Sequence, residues 1–448
     1  MSTVRLTVAQ ALVRFLAVQR SERDGARQRL IEGCWGIFGH GNVAGVGQAL
    51  LQAQQTGEAD LTYYMARNEQ AMVHASVGFA RMRNRLQTFA CTASIGPGST
   101  NMVTGAALAT INRIPVLLLP SDFFATRAAS PLLQELEDPR SYDVSVNDVF
   151  KPVSRFWDRI NRPEQLPSAL LAAMRVLTDP AETGAVTLAL PQDVQAEADD
   201  WPDELFTERT WYVPRPLPEP AALGRAVEVL RNARRPLVIA GGGVIYSQAS
   251  AALRRFAEAT GIPVADTQAG KGALAWDHPL AAGGVGATGS PVANALAREA
   301  DVVLGIGTRY SDFTTASRTA FQHPGVTFVN LNVAAFDAGK HAGVSLVADA
   351  RAGLEALTTA LTGAMPGYRT DEAYRARIDS ANADWRQVVE HAYHLGHQPL
   401  PAQTEILGAL NEFMDERDVV VQAAGSMPGD LQMLWRARDP KQDRKSVV

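Results

Sequence analysis

Cys34 and Cys91 are the only cysteines in 448 residues. So few exclude a disulfide framework and a cysteine-rich metal centre. No uninterrupted apolar run approaches the roughly 20 residues that a membrane-crossing helix needs. The opening residues, Met1-Ser2-Thr3-Val4-Arg5-Leu6-Thr7, lack the apolar stretch of a signal peptide. An excess of basic residues is missing too. The net charge is -5, which leaves no electrostatic footprint for nucleic acid or an acidic membrane face. A cytoplasmic protein with neither kind of partner is expected. The hydrophobic fraction of 46% and mean hydropathy of -0.08 are those of a globular chain. At 48.1 kDa it exceeds what one core supports, so two or three domains are expected.

What the sequence does contain is organised around residues 65–101. A helix is predicted from Glu69, and small residues (Ala71, Ala75, Ser76, Gly78, Ala80) leave room for close packing on it. A carboxylate at that helix start is favoured by the dipole. An apolar strand at 88–92 leads into Ser94-Ile95-Gly96-Pro97-Gly98-Ser99-Thr100-Asn101. That pattern reads as strand, turn and new helix, with free N–H groups facing whatever fills the turn.

Other segments repeat the strand-then-turn theme. Thr7 is predicted to cap a first helix. Residues 36–45, Gly-Ile-Phe-Gly-His-Gly-Asn-Val-Ala-Gly, read as a strand entering a glycine-rich loop. The apolar run 114–119 reads as a strand buried on both faces of a parallel sheet, and the run 184–191 as the last strand of that sheet. Strands alternating with helices argue for a doubly wound α/β domain. Five prolines between 201 and 220 suggest a stiff extended linker. Beyond it, strands are expected at 236–240, 262–265, 301–306, 326–331 and 344–347. Gly241-Gly242-Gly243 and Gly305-Ile306-Gly307 end two of them, but neither completes Gly-x-Gly-x-x-Gly, so they are weak signs of a nucleotide.

The 65–101 segment resembles the pyrimidine-binding domain of thiamine diphosphate enzymes, the acetohydroxyacid synthase and pyruvate decarboxylase superfamily. The resemblance implies that Glu69 hydrogen-bonds the cofactor's aminopyrimidine ring and acts as its catalytic proton donor. A buried site that raises its pKa is then expected. It also places Gly41, Asn42, Gly96, Pro97, Gly98 and Asn101 around the cofactor. His40, Asn42, Asp122 and Arg127 become candidates to hold substrate hydroxyls, with ordinary loop or capping duty as the alternative for each. Residues 260–286 resemble the family's central domain, which holds FAD in some members and is an empty scaffold in others. Residues 419–429 resemble the start of its diphosphate-binding domain, with Gly425 and Ser426 on the cofactor.

The implied layout is 1–195 pyrimidine domain, 196–220 linker, 221–362 central domain, 363–400 helical connector and 401–442 incomplete diphosphate domain. The Gly-Asp-Gly and later Asn that hold Mg2+ in the family do not follow Gly425. The metal site is therefore expected outside this chain, leaving 1–448 a weak cofactor binder and inactive alone. Residues 443–448 depart from the expected apolar strand and match a translated sequencing adapter, so they read as a non-native tail.

Stretches 36–47, 120–127 and 145–160 resemble one branch of the family. That branch hydrolyses a carbon–carbon bond of a cyclic 1,2-diketone in myo-inositol catabolism. Carboligases of the acetohydroxyacid or tartronate-semialdehyde synthase type, and a non-catalytic nucleotide-binding module, are the alternatives. The resemblance also implies a homodimer or homotetramer, with apolar surface near 96–110 at the interface.

Overall fold

Thr7 opens the first helix, Val8–Ala17, with a reciprocal capping box: the Gln10 amide donates to Thr7 Oγ1 at 3.2 Å, and the Thr7 amide to Gln10 Oε1 at 2.8 Å. The computed structural model describes residues 2–422 and 425–445, and residues 446–448 of the suspected tail lie outside them. The chain divides into two units, Met1–Pro214 and Arg215–Val448.

The first unit is built on a six-stranded sheet, parallel throughout. Its order is Thr62–Met65, Ile31–Ile37, Thr88–Ala93, Val116–Asp122, Ala185–Pro191 and Phe156–Arg159. Every residue of Thr88–Ala93, Val116–Asp122 and Ala185–Pro191 is buried, as helices on both faces require. The doubly wound reading holds. Because all strands point one way, the loops after Met65, Ile37, Ala93 and Asp122 leave the same end of four neighbouring strands. That end is where open α/β sheets bind ligands.

The reading of 201–220 as a plain linker is corrected. Ala198–Pro202 pairs antiparallel with Thr3–Thr7, and Arg209–Tyr212 pairs parallel with Gln19–Arg23. Trp201 is buried, and its indole Nε1 donates to Leu6 O at 2.8 Å. The prolines do not prevent this. Pro202 ends its strand and Pro214 follows the other, places where no ladder N–H is needed. Pro220 starts a helix, Pro220–Arg231, capped by Glu219.

The second unit has its own parallel sheet, in the order Ala281–Gly284, Val264–Asp266, Pro236–Ala240, Val302–Ile306, Thr327–Asn332 and Val344–Val347. Ala281–Gly284 is a strand that ends in two glycines. Its glycines let a neighbour approach: a Cβ on Gly284 would meet the Gln432 side chain at 2.7 Å. The two glycine turns pack on each other, with the Gly243 amide donating to Gly307 O at 3.0 Å and the Gly241 amide to Ile306 O at 2.8 Å. Those N–H groups are therefore spent inside the fold and not offered to a phosphate. The 22-residue helix Glu372–Tyr393 fills most of the expected connector. After Gln403–Phe413 comes Val420–Gln422, paired parallel with Asp443–Lys445. No helix among the described residues is long and apolar enough to cross a membrane.

Candidate cofactor site

Glu69 is the first residue of helix Glu69–Met82, whose cap Asn68 accepts the Ala71 amide at 2.9 Å. From there its Oε2 accepts a hydrogen bond from Asn101 Nδ2 at 2.7 Å. The two expected cofactor residues are thus brought together. Glu69 is only half-buried, however, because its helix starts beyond the edge strand Thr62–Met65.

The Gly-Pro-Gly turn differs from the single helix expected. Pro97–Thr100 is one short turn, and the helix resumes at Val103–Asn112. Gly96 sits at φ 63°, in the left-handed region, and a Cβ there would strike the Gln134 backbone. Gly98 has a different reason: a Cβ there would stand 3.6 Å from Glu69 Oε1. Ser99 locks the turn down, donating from Oγ to Ser94 O at 2.5 Å and Ser121 O at 3.3 Å.

The loop after Ile37 lies alongside, with the Gly41 amide donating to Ser94 Oγ at 3.4 Å. Asn42 braces that loop. Its Oδ1 accepts the Gly39 amide at 2.9 Å, and its Nδ2 donates to Ile37 O and Thr92 Oγ1, each at 3.2 Å. A buried side chain with its donors and acceptor so engaged holds the loop in shape. His40 differs: its Nε2 is buried without a hydrogen-bond partner.

Asp122 is engaged in the same way. It is fully buried, accepts Arg159 Nε at 2.7 Å and the Phe123 amide at 2.9 Å, and takes the Ser145 hydroxyl as well. Arg159 continues to Asp148 at 3.0 Å and lies between the rings of Phe123 and Trp157. Asp122 is the anchor of an ion-pair network. Arg127 sits on the exposed loop beyond, paired with Asp143 at 2.9 Å. Gly425 and Ser426 lie in the second unit, where Gly425 has φ 126° and Ser426 starts helix Ser426–Leu434. Among the described residues no group of three or more His, Cys, Asp or Glu is placed to hold a metal ion.

Sequence reasoning missed Glu135, whose carboxyl oxygens are both buried close to the Gly96 turn. It also missed Asp193 and Gln195, which pin neighbouring loops. Gln195 Nε2 donates to Gly41 O at 2.9 Å, and Asp193 accepts the amides of Ala125 and Thr126 at 2.9 and 3.1 Å. Glu135 could have been noticed as an acid flanked by Leu132, Leu133 and Leu136.

Residues 28–139 match the family model "Thiamine pyrophosphate enzyme, N-terminal TPP binding domain", and residues 223–357 match "Thiamine pyrophosphate enzyme, central domain". The chain is 46% identical to the 3D-(3,5/4)-trihydroxycyclohexane-1,2-dione hydrolase of Bacillus thuringiensis (strain Al Hakam), over 98% of this chain and 71% of that protein. This chain belongs to the thiamine pyrophosphate enzymes. A second protein of that name, from Bacillus cereus (strain 03BB102), shares 46% identity, and "hydrolase 2" of another Bacillus cereus strain shares 47%, both with the same coverage. The N-terminal match contains Glu69, Gly96, Gly98 and Asn101, so this thiamine pyrophosphate enzyme has its Glu69–Asn101 pair inside the cofactor-binding domain. Thiamine diphosphate is the cofactor, and Mg2+ accompanies it in the family. Enzymes of this family are typically oligomers.

Proposed function

We propose that this chain is the larger part of a thiamine diphosphate-dependent hydrolase that opens the ring of trihydroxycyclohexane-1,2-dione in myo-inositol catabolism, active at the full length of its relatives. The observation that carries the reading is the identity of 46–47% to hydrolases of that name across 98% of the chain. The reaction balances as diketone plus water giving a carboxylic acid at one former carbonyl and an aldehyde at the other, here 5-deoxy-glucuronate.

Bound thiamine diphosphate supplies the nucleophilic carbon and the electron sink for breaking the carbon–carbon bond. Glu69 would hold the aminopyrimidine and exchange a proton with it through Oε1, which faces the space left by Gly98. Asn101 keeps the carboxylate turned that way through Oε2. The orphaned His40 Nε2, on the loop packed against Ser94, is the side chain best suited to meet a polar ligand group. Asp122, locked to Arg159, shapes the wall and takes no part in proton transfer. No step is assigned to Mg2+, for which the described residues offer no cluster. Exposed apolar side chains at Val43, Met65 and Ile111 suit self-association of this unit, as a dimer or tetramer.

The test is product analysis with thiamine diphosphate and Mg2+ present, on a protein extended to the full length of its relatives. Ring-opened acid from the cyclic diketone, and no condensation product from pyruvate or glyoxylate, is expected. Carboligation of pyruvate or glyoxylate, with the diketone untouched, would overturn the reading.

A further inference from the structure

The loop 123–145 contains no helix or strand, yet it is fastened at three places. Its start is held by Asp193 through the amides of Ala125 and Thr126, at 2.9 and 3.1 Å. Its end returns to its beginning, because Ser145 donates its hydroxyl to Asp122. Its middle lies on the cofactor turn: the backbone of Gln134 occupies the space a side chain on Gly96 would need. At that contact Glu135 turns inward. Both of its carboxyl oxygens are shut away from water, and neither makes a well-formed hydrogen bond among the described residues.

We propose that Glu135 is a positioning residue for the Gly96 turn, fastening the 123–145 loop over it when the carboxyl is neutral and releasing it when ionised. Its place in catalysis rests on reading 96–101 as the cofactor turn; the fastening itself does not.

The physical reason is the cost of an ionised carboxylate without solvent or firm partners. Burial, with the charge of Asp122 adding to it, pushes the Glu135 carboxyl up to about 7, against a partial opposing pull from the amides of Gly96, Val146 and Leu136. The charged groups behind it are few. Strand Val116–Asp122 contributes Asp122, held by Arg159 from strand Phe156–Arg159. The short helix Val146–Val153 contributes Asp148, bound to Arg159 and Lys151. The turn 94–101 has no ionisable side chain. A carboxyl with its closed-state pKa raised holds its proton more tightly with the loop down. Closure is therefore fully favoured below the open-state value and lost as pH rises through 7.

Hydrogen–deuterium exchange on the whole chain tests this, following peptides that cover 94–104 and 122–146 at pH 6 and pH 8, corrected for intrinsic rates. Protection in both segments should fall about tenfold between these pH values. Glu135→Gln, a neutral side chain of the same shape, should stay protected at both. Protection that does not change with pH in the unaltered protein overturns the proposal, and so does a pH dependence that survives in Glu135→Gln. If Glu135→Gln fails to fold by circular dichroism, the unaltered protein's profile decides alone, with a midpoint near pH 7 required. None of these readouts depends on thiamine diphosphate or on turnover, so failure here and failure of the proposed function are separable.

Discussion

Asn101 Nδ2 donates to Glu69 Oε2 at 2.7 Å, across a helix start and a turn that leave neighbouring regions of one sheet. One oxygen of the carboxylate is thereby fixed, and the other stands 3.6 Å from where a Cβ on Gly98 would lie. Orientation of a proton-transfer group is worth as much as its presence, because misplacement by about 1 Å can cost 10²-fold in rate.

In a protein extended to the full length of its relatives, Glu69→Gln should lower turnover by at least about 10²–10⁴, the usual contribution of a general acid or base. Its melting temperature should stay close to that of the unaltered protein, since the side chain is half-buried at a helix start. Asn101→Ala should lower turnover less, because the carboxylate remains but loses its brace. A Glu69→Gln enzyme with more than a tenth of normal turnover, measured on the cyclic diketone, would remove Glu69 from the mechanism.

Arg159→Met should be costly to the fold. Asp122 is fully buried and Arg159 nearly so, and their contact is 2.7 Å. Removing one partner of a buried pair leaves an uncompensated charge, at about 3–5 kcal/mol. Pairing it with Asp122→Asn should recover part of that loss. Denaturant unfolding followed in the first unit reads both variants, and a double variant no better than Arg159→Met would show that charge compensation is not the cause.

The doubly wound fold was legible because buried parallel strands are written as unbroken apolar runs, as in Val116–Asp122. Glu69 at a helix start and Asn101 after a Gly-Pro-Gly turn were legible as positions from local signatures, while their part in cofactor binding came only from the family resemblance. What sequence could not give was the use made of polar side chains far apart in the chain. Asp122 looked like a loop acid until Arg159, 37 residues on, closed on it. Asn42 looked like a ligand until Thr92, 50 residues on, took its amide. The strands flanking Trp201 were hidden by prolines, and only pairing with Thr3–Thr7 and Gln19–Arg23 reveals them. Trp201→Ala should accordingly cost about 3–5 kcal/mol, as for a core aromatic, and a change under about 1 kcal/mol by denaturant titration would restore the linker reading.

Neither cysteine should react in the folded protein. Both are fully buried, and burial pushes the Cys91 thiol up to about 12, in spite of its contact with the Ser76 hydroxyl at 3.2 Å. Burial raises the Cys34 thiol in the same direction. The thiolate is the reactive species, so a disulfide reagent at pH 8 should find no thiol until denaturant is added, and then two. Fast labelling of either in the native state would contradict the packing of strands Ile31–Ile37 and Thr88–Ala93.

Gly96 and Gly98 should respond to the same substitution in opposite ways. Gly96→Ala places a Cβ against the Gln134 backbone at a φ of 63°, and both faults oppose folding. The left-handed conformation alone costs a non-glycine residue about 1–2 kcal/mol. Gly98→Ala meets only ordinary contacts, 3.6 Å to Glu69 Oε1 and to Ser94 Cβ. It also removes freedom from the unfolded chain, so it should be neutral or stabilising by up to about 1 kcal/mol. A larger residue at the same position, Gly98→Leu, should fill the space that Oε1 faces and abolish turnover while the fold survives. Thermal unfolding of the three variants, with turnover measured alongside, checks the whole argument. A destabilised Gly98→Ala or an active Gly98→Leu would mean that the space before Glu69 is not where the cofactor lies.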